Sequence, residues 1–85
     1  MIVDIQVIEK PEISSKVIFE TKNFTKEKDF KEALAIIFMV CGDYYLDPEL
    51  EVEDLQGFLE KASEKKKDKL ALYISEDGLE LDFEE

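Results

Sequence analysis

The stretch KLALYISEDGLELDF, residues 69–83, decides the fold class, because apolar residues alternate with other types on both sides of a turn. A period of two indicates half-buried β-strands. The segment Glu76-Asp77-Gly78 between the two runs is a turn, in which glycine supplies positive φ. The side chains predicted to point inward are Leu70, Leu72, Ile74, Leu79, Leu81 and Phe83, and those of Glu80, Asp82 and Glu84 point outward. The sequence therefore predicts a C-terminal antiparallel β-hairpin.

A helix is predicted before this hairpin. Asp47 followed by Pro48 is typical of a helix start, with an N-cap and proline at the first helical position. The apolar positions after it have helical spacing: Val52, Leu55, Phe58, Leu59 and Ala62. Acids fill its first turns and lysines its last, which suits the helix dipole. Much of the acidic run after Gly42 thus has a structural explanation.

An earlier helix is predicted over the most apolar part of the chain. Thr25 can cap it, apolar residues follow at helical spacing from Phe30 to Cys41, and Gly42 suits the position that ends it. The stretch LAIIFMVC could instead form a central strand, although the start signals favour a helix. Because the later turns are apolar on every face, we expect burial on at least two sides, and a homodimer would provide it.

Two N-terminal strands complete the predicted order. Residues 1–9 alternate, residues 10–12 interrupt them, and residues 16–21 resume with β-branched and aromatic side chains. The order β-β-α-α-β-β predicts an α+β fold: one compact domain over residues 1–85, with a four-stranded antiparallel sheet and two helices on one face.

Charge separates the two halves of the chain. Residues 1–42 hold seven acids and six lysines, whereas residues 43–85 hold fifteen acids and five lysines. A surface so acidic repels nucleic acid and anionic membranes and attracts basic proteins at a rate that falls with salt. The single cysteine, the absence of a signal-like N-terminus, and a longest apolar run of nine residues favour a cytoplasmic protein without a membrane span.

Catalytic and metal-binding motifs are not evident. The chain has no histidine and no arginine, so Cys41 has no imidazole base beside it. A calcium loop starting at Asp43 would place Tyr45 at a ligand position and Pro48 where the turn requires glycine. We therefore expect no enzyme activity, metal or cofactor.

Adjacent tyrosines and two acidic runs are the candidate binding residues. Tyr44 and Tyr45 could plug a corner between helices or could anchor a partner. The outward strand acids could be a solvated face or could replace phosphates on a protein that binds nucleic acid. The full candidate set is Asp43, Tyr44, Tyr45, Asp47, Glu49, Glu51, Glu53, Asp54, Glu80, Asp82 and Glu84.

These residues lead to a functional expectation. We expect a small acidic binding protein that docks onto a basic protein, and one form would be an inhibitor of a nuclease or another nucleic-acid enzyme. The alternative is a homo-oligomeric interaction domain without an inhibitory role.

Overall fold

The computed structural model describes residues 3–9 and 13–85; within residues 3–9 and 13 it describes only the side chain of Ile5. The first two residues and the predicted interruption at residues 10–12 lie outside the described residues. The elements are β1 (Val3–Glu9), β2 (Ile13–Glu20), a short 3-10 turn (Thr21–Asn23), α1 (Glu27–Asp43), α2 (Val52–Glu64), β3 (Lys69–Ser75) and β4 (Gly78–Glu84). The prediction of an α+β fold with two helices and an antiparallel sheet is confirmed.

The sheet has the order β1-β2-β3-β4, with every neighbouring pair antiparallel. Its registers align the inward residues across the strands, so that Val17 pairs with Leu72 and Leu72 with Leu81. The predicted hairpin is β3 and β4, and Gly78 in its turn has φ of 128°. The positive φ expected of this glycine is confirmed.

Both helices cover one face of the sheet and form the core with it. The buried side chains of that core are Val17, Phe19, Ala33, Ile37, Val40, Cys41, Leu55, Leu70, Leu72 and Ile74. Phe24 joins the layers at the start of α1, because its ring lies 5.7 Å from that of Phe19 and 5.2 Å from that of Phe30. The strand alternative for residues 34–41 is wrong, since these residues lie within α1.

The predicted element boundaries need three corrections. Strand β2 begins at Ile13 rather than Lys16. Helix α1 has Lys26 rather than Thr25 as its N-cap and runs through Gly42 to Asp43. Helix α2 begins at Val52, with Glu51 as its N-cap, so the Asp47-Pro48 start is wrong.

Packing and local hydrogen bonds explain these shifts. At the start of α1, the Asp29 carboxylate accepts hydrogen bonds from the backbone N–H groups of Thr25 and Lys26 at 3.0 and 2.9 Å. At the start of α2, the Asp54 carboxylate accepts one from the Glu51 N–H at 2.8 Å. Such third-position carboxylates satisfy donors that a helix start leaves free. Leu46 and Leu50 pack against the core, which keeps the chain between them out of the helix.

Candidate protein-binding surface

Four chain segments meet at one end of the molecule. The Tyr44 hydroxyl, just after α1, forms a hydrogen bond of 2.9 Å with the Ser15 hydroxyl on β2. Ser15 pairs with Ile74, which stands next to the turn between β3 and β4. The loop after Tyr44 then leads directly into α2. The end of α1, the loop at 46–51, the start of α2 and the hairpin turn therefore share this end.

Every acid that these segments carry is exposed to solvent. We call this set the acidic pole: Asp43, Asp47, Glu49, Glu51, Glu53, Asp54, Glu76 and Asp77. Among the described side chains no lysine belongs to these segments; Lys16 lies on the sheet, and the others occur in residues 22–31 and 61–69, toward the opposite end. Charge is thus segregated along the molecule and not only along the sequence.

The two tyrosines have different environments. Tyr44 is partly buried against the core and bonded to Ser15, which matches the corner-plug alternative. Tyr45 is 97% exposed and points into solvent at the edge of the acidic pole. Only Tyr45 is therefore available as an aromatic anchor.

The backbone holds Tyr45 in a left-handed conformation, with φ of 58°. The N–H of Tyr45 donates to the Gly42 carbonyl at 3.1 Å, and the N–H of Leu46 donates to the Cys41 carbonyl at 3.0 Å. This pair of bonds is a Schellman motif, in which glycine usually occupies the position that Tyr45 holds. Since a left-handed residue with a Cβ costs about 1–2 kcal/mol, tyrosine at this position is unfavourable for the local backbone.

The same motif ends α2. Lys66 has φ of 56°, and its N–H donates to the Ser63 carbonyl at 3.0 Å, while the N–H of Lys67 donates to the Ala62 carbonyl at 2.9 Å. Lys66 is also exposed. This second site gives an internal control for the first, with equal backbone geometry and no aromatic ring.

Of the three strand acids, Glu80 lines a hollow together with Asp77 of the acidic pole, whereas Asp82 and Glu84 lie further along β4. Glu80, Asp82 and Glu84 alternate with core-facing residues on β4, so they stand on the sheet face opposite the helices. The Asp82 carboxylate accepts a hydrogen bond from the Phe83 backbone N–H at 2.9 Å, which occupies a donor on this edge strand. The predicted set of binding residues is therefore divided between two sides of the sheet.

Glu84 is already bound to other side chains. Its carboxylate lies 2.9 Å from the Lys16 ammonium and accepts a hydrogen bond of 3.2 Å from the Tyr73 hydroxyl. The hydrogen bond from Lys16 is the main cause that lowers the pKa of Glu84. The same contact is the main cause that raises the pKa of Lys16. This ion pair links β2 and β4 on the outer face of the sheet. Because the two charges cancel, Glu84 adds little net negative charge to the surface.

Sequence reasoning missed Glu76 and Asp77 as members of the acidic pole. They read as ordinary turn residues, and they are remote from the acidic run at 43–54. The signal that could have found them is the alternating direction of successive elements. A chain that descends α1, ascends α2 and descends β3 brings the hairpin turn back to the end where α1 finishes.

The remaining candidate chemistry has a simple structural description. Cys41 is fully buried, and this burial raises the pKa of its thiol, so the group is a protonated core residue at neutral pH. Over the described part of the chain, no three carboxylates or thiols converge as metal ligands. The acids of the pole are spread over a surface instead of being directed at one point.

Neither described helix combines the length and apolar character that crossing a membrane requires. Comparison with known proteins adds no relative. No protein-family model, no curated protein and no solved structure matches this chain.

Proposed function

We propose that this chain is a non-enzymatic binding protein that docks its acidic pole onto a basic protein surface, with Tyr45 as the anchor. The observation that carries the proposal is Tyr45, an exposed aromatic held at an unfavourable φ beside the acids. Backbone strain of this kind is concentrated at binding and catalytic sites, where function compensates its cost. Tyrosine also offers a large contact area at a low cost in side-chain entropy.

Charge and aromatic contact have separate roles in this proposal. A field of exposed carboxylates, with no lysine beside it among the described side chains, steers a basic partner toward the pole and raises the association rate. Screening by salt weakens that attraction. Once the partner covers Tyr45, the buried ring slows dissociation of the complex. This contribution persists in salt because it depends on desolvation and packing.

The partner class proposed is a protein that itself binds nucleic acid. Such a protein presents lysines and arginines to phosphates, and it can exchange counterions against spaced carboxylates in a similar way. The eight acids of the acidic pole, all exposed, supply those carboxylates. In its specific form, the chain inhibits a nuclease or another nucleic-acid enzyme by occupying the phosphate-binding surface.

One pair of glycine substitutions tests the role of Tyr45. Tyr45→Gly removes the ring and relieves the backbone strain after α1. Lys66→Gly relieves the same strain after α2 and leaves the Tyr45 ring in place. Partners are captured on the immobilised chain at low salt, and their dissociation from each variant is measured by surface plasmon resonance. Tyr45→Gly should speed dissociation by about tenfold or more, as expected for an interface hot spot. Lys66→Gly should leave it unchanged.

A competition experiment tests the partner class. Duplex DNA added to the preformed complex should displace the chain from a partner that uses its phosphate-binding surface. Complexes that form normally and that DNA does not dissociate would support docking of the acidic pole. They would contradict the proposal that the pole occupies a phosphate-binding surface. Unchanged dissociation of Tyr45→Gly would contradict the anchor itself.

A further inference from the structure

Helix α1 leaves an apolar face uncovered. Met39 is 62% exposed and Phe38 is 40% exposed. Ala35 and Gly42 are also exposed, and at spacings of three, four and seven residues the four positions share one face. Helix α1 packs against α2 and against strands β2 and β3, so the predicted burial on at least two sides is confirmed, and this face is a further side that meets solvent.

Charge changes along that face. The exposed charges around the start of α1 are three lysines and two glutamates, a small positive excess: Lys26, Lys28, Lys31, Glu27 and Glu32. Lys31 makes only a weak surface contact, 3.7 Å from Glu27. Beyond Gly42 come Asp43 and the rest of the acidic pole. The apolar patch therefore lies between a lysine-bearing end and an acidic end.

The order of charges along α1 favours contact with a second copy of the chain in one orientation. Two α1 helices packed in parallel would bring two acidic poles together, and like charges there would repel. Packed antiparallel, each acidic end meets the other copy's Lys28 and Lys31. In the register given below, the two Asp43 positions lie about 13 Å apart along the helix axis, which is beyond the screening length of about 8 Å at physiological salt.

We propose that a second copy of this chain covers the exposed face of α1, with the two helices antiparallel about a twofold axis between Phe38 and Met39. In this register Ala35 of each copy comes level with Gly42 of the other. Alanine and glycine are small enough for the two helices to approach closely there. A Cβ built at Gly42 meets no atom within 4 Å in the single chain. Phe38 and Met39 then pack across the axis as the apolar centre.

This inference does not depend on the proposed function. The antiparallel arrangement places the two acidic poles on opposite sides of the twofold axis, so each remains able to meet a basic partner. Loss of the dimer and loss of partner binding are read from different variants, at Met39 and at Tyr45.

Light scattering over a concentration series tests whether the dimer forms. The wild-type chain should move from monomer to dimer as its concentration rises through the micromolar range at physiological salt. Met39→Lys places a charge in the apolar centre and should raise the dissociation constant about tenfold or more. Gln56→Lys makes the same charge change at an exposed site on α2 and should not alter it. A wild-type chain that stays monomeric at several hundred micromolar would overturn the proposal.

Disulfide cross-linking tests the orientation. A mixture of Ala35→Cys and Gly42→Cys chains should form mixed disulfides, because the two positions come level across the axis. Neither variant alone should cross-link to itself, since equal positions lie about 10 Å apart along the helix, beyond disulfide reach. The native Cys41 is buried and provides the unreactive background. Self-cross-linking without mixed disulfides would show a parallel pair and overturn the arrangement.

Discussion

At the scale of single residues, two positions have a backbone conformation that is unfavourable for the residue types found there. Tyr45 and Lys66 both hold the left-handed position of a Schellman motif, where glycine is the usual residue. Both are exposed, so neither gains stability from burying its own side chain. At Tyr45 the proposed partner supplies a reason for this choice, and at Lys66 the positive charge suits the C-terminal end of the helix dipole.

Glycine should therefore stabilise the fold at both positions. Tyr45→Gly and Lys66→Gly each remove the clash of a Cβ with the backbone, and each should raise the free energy of unfolding by about 1 kcal/mol. The greater freedom of glycine in the unfolded chain offsets part of this gain. Urea denaturation at neutral pH measures the change. Destabilisation by Tyr45→Gly would mean that the ring makes intramolecular contacts in solution.

At the scale of elements, the carboxylate at the third position of each helix determines where the helix begins. Asp29 is buried and accepts two backbone hydrogen bonds, together with one of 3.3 Å from the Thr25 hydroxyl. The bonds from the backbone of Thr25 and then of Lys26 are the main causes that lower the pKa of Asp29. A carboxyl with a lowered pKa stabilises the folded state while it is ionised.

The contribution of Asp29 should consequently disappear in acid. It is complete above the pKa of an unfolded aspartate, near 3.8, and it is lost as the pH falls through the lower value of the folded state. Asp29→Asn should lower the urea midpoint at pH 7, and its deficit relative to wild type should shrink below about pH 4. The matched control is Glu32→Gln, an exposed change on the same helix, which should show little deficit at either pH. A constant deficit for Asp29→Asn across this range would contradict the ionic cap.

Sequence patterns predicted the elements better than their ends. The alternation in residues 69–83 identified the hairpin because sheet faces impose a period of two, and this depends only on local order. Asp47-Pro48 is an equally good local signal for a helix start, yet Leu46 and Leu50 pack against the core and this segment stays outside the helix. Likewise Gly42 could end α1, but the bond between Tyr44 and Ser15 requires the chain to run further. Contacts between distant residues decided these boundaries.

The candidate site was predicted in part for the same reason. The excess of acids after Gly42 is visible in the sequence, and six of the predicted candidate acids, Asp43 to Asp54, do lie together at one end. Which tyrosine is exposed depends on a backbone reversal that no spacing reveals. Glu84 is separated from the acidic pole by its place on the outer face of β4, where it forms an ion pair with Lys16, some 68 positions away along the chain.

At the scale of the whole molecule, the excess negative charge lies at one end. The principal extents are 33, 23 and 20 Å, so the acidic pole and the opposite end, which carries both lysines and acids, can lie several screening lengths apart. The alternation of element directions places every acid between Asp43 and Asp54 at one end, together with Glu76 and Asp77. A basic partner approaching this molecule would meet a directional field rather than a uniform one.

The most direct test of the acidic pole is the association rate of two matched triple variants with a captured partner. One variant carries Asp47→Lys, Glu49→Lys and Glu53→Lys in the acidic pole. The other carries Glu27→Lys, Glu60→Lys and Glu64→Lys, which are exposed helix positions outside it, so the change in net charge is equal. Stopped-flow association at low and at physiological salt should show the pole variant slowed about tenfold or more at low salt, with a flattened salt dependence. The control variant should be slowed much less. Equal slowing by both variants would contradict the acidic pole as a docking site, because only the total charge would then matter.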